Sequence, residues 1–149
     1  MTRIRPSFTT RQTSCLTVLL IDCRLHRIDM GFKRVLIANR GEIALRILRT
    51  LRDMGIEAAI IHGKEDRLSL PVMMSDIAYP NYCTNPLDSY LDIEAVVKAA
   101  KELECDAVHP GYGFLAENAH FVKRLAEEGI TFIGPSSEVI TLLLSLIHI

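Results

Sequence analysis

Ala107-Val108-His109-Pro110-Gly111-Tyr112-Gly113-Phe114-Leu115-Ala116-Glu117-Asn118 is the stretch on which the reading of this chain turns. Ala107 and Val108 are a short apolar run that predicts a buried strand. A proline and two glycines then break the regular backbone, and an amphipathic segment starts near Asn118. A strand that runs into a Gly-rich loop ahead of a helix is where open α/β sheets bind ligands, at the carboxyl ends of their strands. Gly111 and Gly113 permit backbone angles that a side chain would oppose, and they leave Tyr112 projecting between them. The same spacing also suits an ordinary strand-to-helix connection that needs glycine, so spacing alone does not choose between the two.

Upstream, the pattern repeats. Arg34 to Ala38 reads as a first strand, Asn39-Arg40-Gly41 as a turn, and Glu42 to Met54 as a helix with an acid in its first turn, where the macrodipole favours one. Ile43, Ile47, Leu51 and Met54 share one helical face and are expected on the sheet, while Arg46, Arg49 and Asp53 cluster on the opposite side. Gly55 is placed to end this helix. Glu57 to His62 is a second strand. A polar loop with Asp66 and Arg67 follows, then a helical turn from Pro71 to Ser75, a strand near Ile77 to Tyr79, and a Pro- and Asn-containing loop from Pro80 to Ser89. Asp92 is a good N-cap for a helix whose stripe is Ile93, Val96, Val97, Ala100 and Leu103. Asp106 to His109 leads into the glycine loop. Asn118 to Glu128 is the next helix, Thr131 to Ile133 a last strand, and Ser136 a further N-cap. Strands and helices in alternation imply an open, mostly parallel α/β sheet with helices on both faces.

At 149 residues the chain holds one domain with flanks. A net charge of −1 gives no ground for a nucleic-acid or anionic-membrane partner. The four cysteines (Cys15, Cys23, Cys83, Cys105) form no CxxC pair, which fits reduced thiols in a cytoplasmic protein. Residues 1–30 differ from the rest: they are Arg-, Ser- and Thr-rich, and their first acid is Asp22. The apolar run Cys15 to Ile21 is too short to span a bilayer. An organelle transit peptide would share this composition; the preferred reading makes Met30 the natural start and residues 1–29 upstream sequence read through. Residues 141–149 form an apolar tail, also too short to be an anchor.

The glycine stretch resembles the HPGYGFLSEN signature of the biotin carboxylases, the ATP-grasp component of biotin-dependent carboxylases. Val35-Leu36-Ile37-Ala38-Asn39-Arg40-Gly41-Glu42-Ile43-Ala44-Leu45-Arg46-Ile47 resembles the family's opening strand and helix. The likeness runs from about Phe32 to Ile140, so the expected unit is residues 31–140, a Rossmann-like pre-ATP-grasp domain. A full enzyme of this family uses ATP, Mg2+ and bicarbonate, forms carboxyphosphate, and carboxylates biotin tethered to a carrier protein. The resemblance places Tyr112 and Gly113 beside the biotin pocket. It puts Arg46, Arg49 and Asp53 at a homodimer interface, with Asp53 where Glu is common. It also implies a biotin carboxyl carrier protein or domain and a carboxyltransferase component as partners.

The remaining polar residues of the motifs get supporting roles. Arg40 and Glu42 frame the cleft or pair locally, because the turn lacks both the glycines of a dinucleotide fingerprint and the GK[ST] of a P-loop. His109 reads as a hydrogen-bonded structural residue, Gly111 as a turn residue, and Glu117 with Asn118 as helix caps that hold the loop. His62, Asp66 and Asp76 are too scattered for a metal site, so neither a metal ligand nor a catalytic residue is expected here. Two departures from the family stand out. Pro71 replaces a common His, with Ser75-Asp76-Ile77 in place of Ala-Asp-Glu. Leu146 stands where an ATP-binding Lys is expected, so the tail reads as a truncation scar and the fragment alone is expected to be inactive, binding no cofactor tightly. Rival readings are another ATP-grasp ligase, such as a carbamoyl-phosphate synthase, or a non-catalytic α/β interaction module.

Overall fold

The computed structural model describes residues 31–147 apart from 84 and 86. The expectations for residues 1–30, Met30 as a start among them, lie outside the described residues. Five parallel strands form one sheet in the order β3-β2-β1-β4-β5: β1 (Arg34–Ile37), β2 (Glu57–His62), β3 (Ile77–Pro80), β4 (Ala107–His109) and β5 (Thr131–Phe132). The helices are α1 (Gly41–Asp53), α2 (Leu70–Met74), α3 (Asp88–Leu91), α4 (Ile93–Glu102), α5 (Ala119–Glu127) and α6 (Ser137–Ile147). The short α3 was not expected; it falls where the sequence reads as the end of a Pro- and Asn-containing loop.

Strand alternation sorts the core into two halves. Val35 and Ile37 of β1 join Ala58, Ile60 and Ala107 beneath α1, with Val72 and Met74 packed alongside. Leu36 and Ala38 face the other way, against Ala59, Ile61 and Val108, under α4 and α5 through Val96, Val97, Phe121 and Leu125. The caps act as expected: Asp92 accepts from the Ala95 N–H at 3.1 Å, and Asn118 from His120 and Phe121 at 3.0 and 3.1 Å. Glu117, by contrast, is exposed and adds no cap. Asp106 ties the amino ends of β1 and β4 together, its carboxylate accepting from the backbone N–H groups of Lys33 and Arg34 at 2.6 and 2.9 Å. Those two donors, the Arg34 N–H foremost, hold its pKa below the usual carboxylate value.

One expectation needs correction. The buried residues of α1 are Ala44, Ile47, Leu48 and Leu51, while Ile43 is half-buried and Met54 exposed. The packed stripe is therefore turned by roughly 55° from the one read in sequence, at 100° per residue. Ala44 and Leu48, both wholly buried in the cluster with β1 and β2, draw the stripe to their side of the helix. Ile43 and Met54 instead border an open apolar groove of about 390 Å³, whose other walls include Phe32, Val35, His109 and Ile133. Leu48→Ala should cost about 2–5 kcal/mol in urea unfolding, since Leu48 is wholly buried. The exposed Arg49→Ala should stay within about 0.5 kcal/mol; equal effects would contradict this packing.

Candidate functional site

The chain runs outward from β1 through β2 to β3, then crosses back from β3 to β4 on the other side of β1, so the order of the sheet reverses between β1 and β4. Open α/β sheets bind ligands at such a switch point, at the carboxyl ends of the strands. Two loops meet there: Ala38-Asn39-Arg40 after β1 and Pro110 to Asn118 after β4. Both stretches singled out in the sequence are thus at one edge of the sheet.

Ala38 N–H donates to the His109 carbonyl at 3.0 Å and carries the pairing of the two strands to its end. Asn39, 2 % exposed, then bridges the loops. Its Nδ2 donates to the carbonyls of Pro110 and Tyr112 at 2.7 and 2.9 Å, and its Oδ1 accepts from the Arg40 N–H at 2.8 Å. Gly111 has φ +70°, and a Cβ there would lie 2.7 Å from Asn39 Nδ2, so glycine is required twice over. Gly113 has φ +66° with open space beside it. Tyr112 is 65 % exposed between them.

A second network braces the loop from the side. The Tyr90 hydroxyl donates to Asp66 Oδ2 at 2.7 Å and accepts from the Gly63 N–H at 3.1 Å. Arg40 pairs with Asp66 Oδ1 at 2.8 Å, and its guanidinium lies 5.7 Å from the centre of the Tyr90 ring. The Tyr90 ring stacks on Phe114 at 5.4 Å and 25°. Phe114 needs such a neighbour, because its φ of +46° is uncommon for a residue with a side chain. Burial, chiefly, raises the pKa of the Tyr90 phenol, so it stays protonated and able to donate. Arg40 therefore pairs locally; Glu42 is exposed in the first turn of α1 and has no ion pair among the described residues. Arg46, Arg49 and Asp53 are all exposed on α1, with Arg46 also at the rim of the apolar groove.

Sequence reasoning missed Asn39, Tyr90 and Phe114 as parts of this site. Asn39 carried a signal, since it is the first residue of the quoted turn. Tyr90 carried none, being brought in by a short helix after an irregular loop. Among the described residues no group of three or more His, Cys, Asp or Glu could hold a metal ion.

The family profile described as "Biotin carboxylase, N-terminal domain" matches residues 31–140. The chain belongs to that family. It is 49 % identical over 112 residues to the 2-oxoglutarate carboxylase small subunit of Hydrogenobacter thermophilus, covering 75 % of this chain and 24 % of that one. It is 50 % identical over 111 residues to the pyruvate carboxylase of Bacillus subtilis, covering 74 % of this chain and 10 % of that one. A solved dimer of the Hydrogenobacter biotin carboxylase domain, in complex with MgADP, ADP and bicarbonate, superposes with a TM-score of 0.71 at 49 % identity, covering 74 % of this chain and 24 % of that one. The chain thus spans a quarter or less of these relatives.

In this biotin carboxylase domain His109 supports the loop by its ring. Its Nδ1 accepts from the Gly111 N–H at 3.0 Å, and burial holds its pKa below the ordinary histidine value. The unfolded chain takes up that proton more readily than the folded one. The stability tied to neutral His109 is therefore complete above about pH 6.5 and is lost as pH falls from there toward the lowered folded value. Urea midpoints taken between about pH 7.5 and 5.5 should fall less steeply in His109→Gln; an unchanged slope would remove this contribution.

Proposed function

We propose that residues 31–140 form the amino-terminal wall of a biotin carboxylase active site, in an enzyme that carboxylates carrier-bound biotin with ATP and bicarbonate. The observation that carries this reading is the Gly111-Tyr112-Gly113 loop, held at the switch point in a chain about half identical to two carboxylases of the family. The exposed Tyr112 ring offers an apolar face for a flat ureido ring, and the open space at Gly113 lets that ring approach the backbone. The N–H groups of Tyr112 and Gly113 make no hydrogen bond with other described residues, which leaves donors for an acceptor atom. Arg40 and Asp66 brace this wall, and Glu42 stands at its edge.

ATP and Mg2+ do not fit the described residues. The turn after β1 has no glycine-rich run of amides, and no carboxylate cluster could hold the metal. The resemblance puts Leu146 where a phosphate-binding lysine is expected, and an aliphatic side chain cannot offset phosphate charge. Phosphoryl transfer to bicarbonate needs cations and a metal to spread the developing charge, so those groups belong to other parts of the enzyme. The cysteine pattern and charge suit a cytoplasmic setting, with a biotin carboxyl carrier and a carboxyltransferase component as partners.

Two measurements test the reading. The purified 149-residue chain should release no ADP above background from MgATP, bicarbonate and free biotin. Residues 31–140 grafted in place of the matching segment of the Hydrogenobacter subunit should restore biotin-dependent ADP release; a folded graft without it would overturn the assignment. Arg46, Arg49 and Asp53 are proposed to help that enzyme dimerise. In the graft, Arg46→Glu with Arg49→Glu should shift sedimentation at micromolar concentration toward monomer, and no shift would remove the dimer role.

A further inference from the structure

We infer that Asn39 is a positioning residue for biotin, acting through the loop that it holds. It sets the height and tilt of Gly111 to Phe114 over the β1/β4 crevice and touches no substrate itself. The inference rests on the function proposed above and adds a residue to it.

Three features of the geometry carry it. First, the match is chemically specific. Two carbonyl oxygens, of Pro110 and Tyr112, face one Nδ2 at 2.7 and 2.9 Å. A carboxamide supplies both hydrogens, a hydroxyl supplies one, and a carboxylate supplies none. The third group, Oδ1, is engaged by the Arg40 N–H at 2.8 Å, so the orientation of the amide is fixed from both ends. Second, the contact is close. Gly111 lies between the two accepting carbonyls, and a Cβ there would meet Asn39 Nδ2 at 2.7 Å, Cγ at 3.1 Å and Cβ at 3.2 Å. The loop is seated on the side chain with no room for a methyl group. Third, the residues so held contribute little to the core. Tyr112 and Gly113 are exposed, and the sheet pairing is already closed by the Ala38 N–H to His109 carbonyl bond. A buried side chain from the loop after β1, 73 residues away in sequence from Tyr112, fixes a segment whose middle residues, Tyr112 and Gly113, are exposed. That is how a binding loop is held in place by its support, and a displacement of about 1 Å at such a loop can cost up to a hundredfold in rate.

The test uses the active graft and the 149-residue chain together. Asn39→Asp sets a carboxylate against two carbonyl oxygens, and Asn39→Ser keeps one donor as the milder variant. In the graft both should raise KM for biotin, Asn39→Asp by roughly tenfold or more, while KM for ATP moves less than about twofold. In the chain, Gly111→Ala should lower the melting temperature less in an Asn39→Ala background than alone, because the two closest contacts it creates, with Nδ2 and Cγ, are gone. A biotin KM unchanged in both folded variants, or biotin and ATP KM values rising together, would overturn the positioning role. If Asn39→Asp fails to fold, Asn39→Ser decides. If the unsubstituted graft has no biotin-dependent activity, the function has failed instead, and Asn39 is judged on the chain alone. Chymotryptic cleavage after Tyr112 should then be about tenfold faster in Asn39→Ala if the amide holds the loop, and an unchanged rate would refute it.

Discussion

Strand β1 and the two residues after it are buried on both faces of the sheet, Val35 through Asn39 without a break. No water reaches its backbone, so each of its N–H and C=O groups must find a partner within the protein. β2 supplies them along one edge and β4 along the other, in parallel register. The ends of the strand are the difficult places, because the ladders stop there. At the amino end the Asp106 carboxylate takes up the Lys33 and Arg34 N–H groups, and the Arg34 guanidinium reaches across to the Leu103 carbonyl. At the carboxyl end Asn39 does the equivalent for the loop after β4. A central strand with polar closure at both ends is the constraint from which the rest of the domain follows.

The same closure creates the site. A sheet that reverses its order beside β1 leaves a crevice there, and the loops that border it can be exposed only if something buried holds them. Two supports do so by different means. Asn39 uses hydrogen bonds to backbone, which fix position closely. Tyr90 uses ring stacking on Phe114 and a hydroxyl shared between Asp66 and Gly63. The Arg40–Asp66 ion pair adds less than its short distance suggests, since the arginine side chain is 39 % exposed and solvent screens the pair. The Arg124 pairs, with Glu94 of α4 and with Glu128 at the end of α5, lie at the surface, where solvent screening and side-chain entropy offset most of the attraction. Packing and buried hydrogen bonds, rather than surface charge, set the shape of this edge.

Under the proposed function, this domain offers a shaped edge and, among the described residues, no group of three or more His, Cys, Asp or Glu that could hold a metal ion. Its contribution is geometry: a rigid sheet, an aromatic side chain presented from a glycine loop, and a helix face of exposed charge. Under that proposal, phosphoryl transfer to bicarbonate would need cations and a metal around phosphate, and these need not come from the same fold unit.

By itself the sequence determined the alternation of strands and helices, the caps at Asp92 and Asn118, and the glycine loop at the end of β4. Each of these depends on residues near one another in the chain: apolar period, capping oxygen, backbone freedom at glycine. It also determined the family, through two long motifs. The facing of α1 escaped it, because periodicity ranks Ile43 and Met54 as apolar as Leu48, while only the packed structure shows Ala44 and Leu48 wholly buried, Ile43 half-buried and Met54 exposed. Tyr90 escaped it too, since a tyrosine in a short helix has no local sign that its hydroxyl will meet Asp66 and its ring Phe114. Asn39 was visible as a letter in a motif but not as a clamp. Its partners, Pro110 and Tyr112, lie more than seventy residues away in sequence, and only the parallel pairing of β1 with β4 brings an amide with two donors to two carbonyls that need them.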